Sequence, residues 1–198
     1  IVPDITFSAT INTIIHCGAT PVLCEVDSET WCIDPVEIKK LINTRTKAII
    51  PVHLYGQAAQ MDEIMRLSNE NNLYIIEDCA EAIGSKWKNR NVGTFGHASA
   101  FSFFGNKTIT TGEGGMVLFK SKEASERAKI LRDHGMNPSK RYWHDVVGYN
   151  FRLTNVQAAI GVAQIERLDE IVGKKIIIGE SYSNLLKNHK IVEQIPRR

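Results

Sequence analysis

A single lysine, Lys107, stands in the run SFFGNKTITTGEGG from Ser102 to Gly115. Aromatics precede it, and small and hydroxyl residues follow. The stretch Ala100-Phe101-Ser102-Phe103-Phe104 reads as a buried strand, so Lys107 is carried to the end of a core element. A lysine there is either a salt-bridge partner or a reactive amine, because burial disfavours the ammonium and leaves a nucleophile for carbonyls. The second group is Asp78 in IIEDCAEA, at the C-terminal end of another apolar run. In open α/β sheets ligands bind outside that edge of the strands. An ionised aspartate there calls for a cation, and two strand ends bring Lys107 and Asp78 to one crevice. Lysine and aspartate in one crevice fit a pyridoxal 5′-phosphate (PLP) site, in which the lysine forms a Schiff base and the aspartate keeps the pyridine nitrogen protonated. A buried Lys107–Asp78 ion pair accounts for the same spacing.

Other signals are weaker. TTGEGG lacks the GK[ST] ending of a P-loop and the GxGxxG register after a strand, so it reads as a turn between two strands. Ser102, Thr108, Thr110 and Thr111 are hydroxyl donors for a phosphate group. His53 in VHLYGQ reads as a core or supporting histidine. Cys17, Cys24, Cys32 and Cys79 show no CxxC spacing, and the six histidines are scattered, so no structural metal is expected. Reduced thiols suit a cytoplasmic protein.

The elements that must position these groups follow from pattern. The 198 residues are 43% hydrophobic and 23% charged, enough for one sizeable core. A net charge of +2, with Arg197-Arg198 the one basic run, gives no nucleic-acid surface, and no stretch has transmembrane length. The chain opens on Ile1 without a signal-peptide pattern, and the missing Met implies that the true N-terminus lies upstream. TPVLCEV, KAIIPVHL, LYIIED, ASAFSF and GGMVLF read as strands. Helices are expected from Ala9 to Cys17, from Pro35 to Ile42 behind an Asp34 cap, from Gln60 to Asn71, and from Lys122 to Arg132 behind Ser121. A further helical stretch starts at Thr154 as one long helix or two joined near Gly173. Strands alternating with helices give an α/β fold with a mostly parallel sheet flanked by helices.

Four runs together carry a resemblance: TFSATINTIIHCGATPVLCEVD, KAIIPVHLYGQAAQMD, IIEDCAEAIGSKWKNRNVGTFGHASAFSFFGNKTITTGEGGMV and VVGYNFRLTNVQAAIGVAQIERLDE. In this order, over nearly the whole chain, they resemble the DegT-type sugar-nucleotide aminotransferases, a PLP-dependent branch of the aspartate aminotransferase (type I) fold. The resemblance implies that Lys107 forms the Schiff base and moves the proton, and that Asp78 faces the pyridine nitrogen. It implies that Phe7 stacks on the ring, Ala80 covers the opposite face, and Glu81 approaches the ring hydroxyl, where many relatives carry Gln or His. Ser102 then binds the phosphate, and Asn150 reaches the phosphate in the neighbouring subunit of a homodimer.

The same resemblance implies transamination of a nucleotide-linked 4-keto-6-deoxy sugar with glutamate as donor, for surface polysaccharide. One branch of the family replaces the lysine by histidine and dehydrates; Lys107 favours transamination. Residues 1–165 would be the central part of the PLP-binding large domain. Residues 166–198 would be a long helix leading to a mostly absent small domain, with the fold incomplete at both ends. Alternatives are an inactive fragment serving as an interaction or dimerisation module, an aminotransferase acting on a dTDP- or UDP-linked keto sugar, and a nucleotide-binding α/β protein with a buried Lys107–Asp78 pair.

Overall fold

The computed structural model describes residues 1–189. Arg197-Arg198 and the end of the expected 166–198 segment lie outside the described residues. The element order is β1 (Val2–Pro3), α1 (Ser8–His16), β2 (Leu23–Cys24), α2 (Pro35–Leu41), β3 (Ala48–Ile49), α3 (Met61–Asn71), β4 (Tyr74–Asp78), β5 (Lys86–Trp87), β6 (Arg90–Asn91), β7 (Ala98–Ser102), β8 (Gly115–Phe119), α4 (Lys122–Arg132), α5 (Asn155–Ile165) and α6 (Leu168–Leu186).

The central sheet runs β3-β4-β7-β8. β3, β4 and β7 are parallel, and β8 returns antiparallel to β7 with Ser102 opposite Gly115. A parallel β1–β2 pair continues the layer, because the Ile50 amide donates to the Ile1 carbonyl at 2.9 Å. The expected mostly parallel α/β sheet is present, but its strands are shorter than the apolar runs. In KAIIPVHL only Ala48 and Ile49 form a strand. Pro51 has no N–H to add to the ladder; its carbonyl instead accepts from the Asp78 amide at 2.9 Å.

Helix starts follow local chemistry. Asp34 caps α2 by accepting from the Val36 amide at 2.8 Å, with Pro35 in the first turn and Lys39 and Lys40 in the last. Ser121 caps α4, and Thr154 forms a reciprocal capping box with Gln157 at the start of α5. α3 turns Met61, Ile64 and Leu67 into the core at helical spacing and ends on Asn72 in the left-handed region (φ 52°). Its apolar face meets Ile38, Ile49 and Ile75, which are fully buried.

Two expectations are corrected. The run 100–104 is not a buried strand. β7 ends at Ser102, Ala100 and Phe104 are exposed, and Ser99 is the residue turned fully inward. Alternation along the strand sends successive side chains to opposite faces, so an apolar run is not buried on both sides. The C-terminal helix breaks at Glu166–Arg167 rather than near Gly173, which lies inside α6 with open space around it. Arg167 pairs with Glu170 in the first turn of α6 at 3.0 Å. α4, α5 and α6 bury none of their described residues.

Candidate active site

β4 places two carboxylates back to back. Glu77 points inward and is fully buried; Asp78, one residue on, faces the sheet's carboxyl edge. Glu77 Oε1 accepts from the Phe95 and Gly96 amides (2.8 and 2.6 Å), and Oε2 accepts from the Gly93 amide (2.6 Å) and His53 Nε2 (3.1 Å). His53 Nδ1 accepts from the Ala59 amide at 3.1 Å, so Nε2 carries the hydrogen and donates to Glu77. Burial raises the Glu77 pKa, but the bonds from His53, Gly96 and Gly93 outweigh it and leave the carboxyl below its usual range. The turn 93–96 that leads into β7 is thereby fastened to β4. Gly96 is needed there, since a Cβ would lie 2.8 Å from the Ile75 carbonyl.

Asp78 is held on both sides through its backbone. Its carbonyl accepts from the His53 amide, and it lies opposite Ala100 of β7. Its Oδ2 accepts from the Thr10 hydroxyl at 2.7 Å, and its Oδ1 from the Ala80 amide at 3.0 Å. Among the described residues no cation pairs with Asp78; Lys107 pairs elsewhere. Its Nζ lies 3.6 Å from Glu81 Oε1, with the Lys107 side chain 20% exposed. Glu81 is oriented in turn by the Tyr55 amide, which donates to Oε2 at 2.8 Å. The Lys107–Asp78 ion pair that the spacing allowed is therefore not formed. A lysine tied to Glu81 leaves the aspartate's remaining acceptor directions unused.

Phe7 immediately precedes α1 and is 78% exposed, a large aromatic left unpacked beside the element that contacts Asp78. Ala80 is half-buried. Ser102 Oγ accepts from the Phe104 amide at 3.3 Å, so its own hydrogen stays free to donate. Thr110 and Thr111 donate to the Phe103 and Glu113 carbonyls, which removes them as donors to a ligand. Asn150 is exposed on the segment after α4, opposite Asp133, and makes no hydrogen bond to the other site residues. The Lys107 loop leans on α5, where Gln164 accepts from the Thr110 amide and Gln157 donates to the Glu113 carbonyl. Glu81 also lines an open cleft of about 420 Å³ with Trp31, Tyr55, Thr108, Lys175 and Ile176.

Sequence reasoning missed Thr10, Thr6 and Glu77. The repeat of threonine four residues apart at the start of α1 was the available signal for the first two; nothing local separates the roles of the adjacent acids. His53, Glu77 and Cys79 offer three ligand atoms within 4.8 Å of one another. Both nitrogens of His53 and both oxygens of Glu77 already bond to protein partners, so this group reads as a core fastening. Burial pushes the thiols of Cys24 and Cys32 up to about 12 and about 11, and that of Cys79 higher still.

Residues 1–198 match the model of the DegT/DnrJ/EryC1/StrS aminotransferase family, and the chain belongs to that family. Enzymes of this family depend on PLP. The chain is 48% identical over 194 residues to GDP-perosamine synthase of Escherichia coli O157:H7, covering 96% of this chain and 53% of that protein. It is 50% identical over 186 residues to GDP-perosamine synthase of Vibrio cholerae, covering 94% and 51%. In structure it superposes on S. venezuelae DesV in complex with a ketimine intermediate, with a TM-score of 0.93 and 32% identity, covering all of this chain and 53% of DesV. The chain thus spans about half the length of the curated relatives it matches.

Proposed function

We propose that this chain is the cofactor-binding core of a PLP-dependent aminotransferase. It would act on a nucleotide-linked 4-keto-6-deoxy sugar with glutamate as amino donor, giving GDP-perosamine for O-antigen synthesis in the cytoplasm. The observation that carries the reading is Asp78: an aspartate at the carboxyl edge of the central sheet, bonded to Thr10 and Ala80, with no cation against it among the described residues. An acceptor so held suits a protonated ring nitrogen. The two GDP-perosamine synthases support the substrate class.

The residues present fit the cofactor, which when bound supplies an electron sink for carbanionic chemistry. Asp78 accepts the ring N–H. Phe7 offers a free aromatic face for stacking, and the small side chain of Ala80 leaves room on the other face. Ser102 donates its unused hydroxyl hydrogen to the phosphate. Lys107 is the amine that would hold the cofactor, and its Nζ would take up and return the proton at the substrate carbon as base and acid. Glu81 restrains the Lys107 ammonium and would face the ring hydroxyl. Asn150, which touches none of these groups within one chain, is assigned to the phosphate in a second subunit, making a homodimer with a shared site. Residues 1–165 belong to the large domain, and the segment that begins at residue 166 leads out of it.

Borohydride reduction after incubation with PLP, followed by peptide mapping, tests this. A pyridoxyl adduct confined to Lys107, absent from Lys107→Met, is expected. A folded chain that gives no adduct at Lys107 refutes the reading.

A further inference from the structure

We infer that Thr10, backed by Thr6, is a positioning residue that aims the Asp78 carboxylate at the cofactor nitrogen; this rests on the reading of the site as a PLP site. An ionised carboxylate has acceptors only, so the Thr10 hydroxyl hydrogen points at Asp78 Oδ2, 2.7 Å away. Thr10 Oγ1 also lies 2.9 Å from Thr6 Oγ1. With the Thr10 hydrogen committed, Thr6 is the donor in that contact. The two hydroxyls form a directional relay, Thr6 to Thr10 to Asp78, in which each bond polarises the next.

Several features fit this hydroxyl to orientation rather than to packing. Thr10 is 6% exposed, so bulk water does not replace its hydroxyl. Its β-branched side chain is restricted at χ1, which limits the directions its oxygen can take. The hydroxyl satisfies no helix amide, although α1 begins at Ser8 without a side-chain cap from Phe7. The first turn of α1 thus brings Thr10 to Asp78. With Thr10 on Oδ2 and Ala80 on Oδ1, the carboxylate plane is set from both sides. Each oxygen keeps one further acceptor direction.

The test compares wild type, Thr10→Val, Thr10→Ser, Thr6→Val and Asp78→Asn in the full chain. PLP affinity, the visible absorbance bands of the Lys107-bound cofactor, and borohydride trapping at Lys107 are measured beside thermal unfolding. Losing a charge-assisted hydrogen bond weakens PLP binding about tenfold in Thr10→Val. Its band ratio moves towards that of Asp78→Asn, while Thr10→Ser restores both and Thr6→Val lies between. The half-exposed Thr6 site carries the test if Thr10→Val does not fold. Then an unchanged affinity and band ratio in Thr6→Val overturn the relay. Wild-type affinity and bands in a folded Thr10→Val, with Lys107 still trapped, overturn the inference and leave the proposed function standing. Thr10→Ser behaving like Thr10→Val overturns it too, since the methyl rather than the hydroxyl would matter. No adduct in wild type overturns both.

Discussion

Replacing Glu77 by Gln isolates the fastening behind Asp78. The carboxylate receives four hydrogen bonds, two on each oxygen. Glutamine keeps one oxygen, so either orientation turns an NH2 group towards two buried donors. His53 does not relieve this by exchanging tautomers, because Nδ1 already accepts from the Ala59 amide. Each buried donor left unsatisfied costs about 1–3 kcal/mol, giving about 2–6 kcal/mol for the pair. That is a large share of a total stability of roughly 5–15 kcal/mol. Guanidinium unfolding followed by circular dichroism, with equal slopes for both proteins, reads the difference. A Glu77→Gln loss within about 0.5 kcal/mol of zero, the usual range of a surface change, refutes the reasoning. The pH dependence has a fixed sign. The folded pKa of Glu77 lies below its unfolded value of about 4.3. Its contribution is therefore complete above that value and is lost as pH falls through the folded pKa. Wild type loses this increment on acidification; Glu77→Gln does not.

Phe7→Ala leaves unfolding stability within about 0.5 kcal/mol, because the ring is 78% exposed, but weakens PLP uptake by up to about tenfold; equal uptake in a PLP titration removes Phe7 from the site. Asp34→Ala removes the α2 cap and costs about 1 kcal/mol, read as a lower Tm without change in PLP trapping. Iodoacetamide at neutral pH labels the exposed Cys17 first, since burial holds the thiols of Cys24 and Cys32 up at about 12 and about 11 and raises that of Cys79. Mass mapping that finds native Cys79 labelled as fast as Cys17 contradicts the burial of Cys79 behind β4.

Much of the frame was legible because its signals are local. Asp34 with Pro35, Ser121, and Thr154 three residues before Gln157 announce helix starts through bonds to amides two or three residues away. The spacing of Met61, Ile64 and Leu67 names the buried face of α3. Strand extent was less legible. The proline inside KAIIPVHL interrupts the ladder between the Ala48–Ile49 strand and the Val52–Asp78 bridge, with a partner strand that the sequence does not name, and β8 is a strand whose Met116, Val117 and Leu118 are exposed.

The site divides in the same way. From the sequence came the expectation that strand ends bring Asp78 and Lys107 together, and, through the resemblance, the expected set Phe7, Ala80, Glu81, Ser102 and Asn150; Lys107 lies in the loop beyond β7. Only the tertiary structure decided that Lys107 turns to Glu81, that Thr10 reaches Asp78 across 68 positions of chain, and that Glu77 rather than Asp78 is the buried acid. A residue's type and period are properties of its own neighbourhood in the chain. Which acceptor a hydroxyl or an ammonium meets depends on packing between segments distant in sequence, and that is settled only when the sheet and α1 come together.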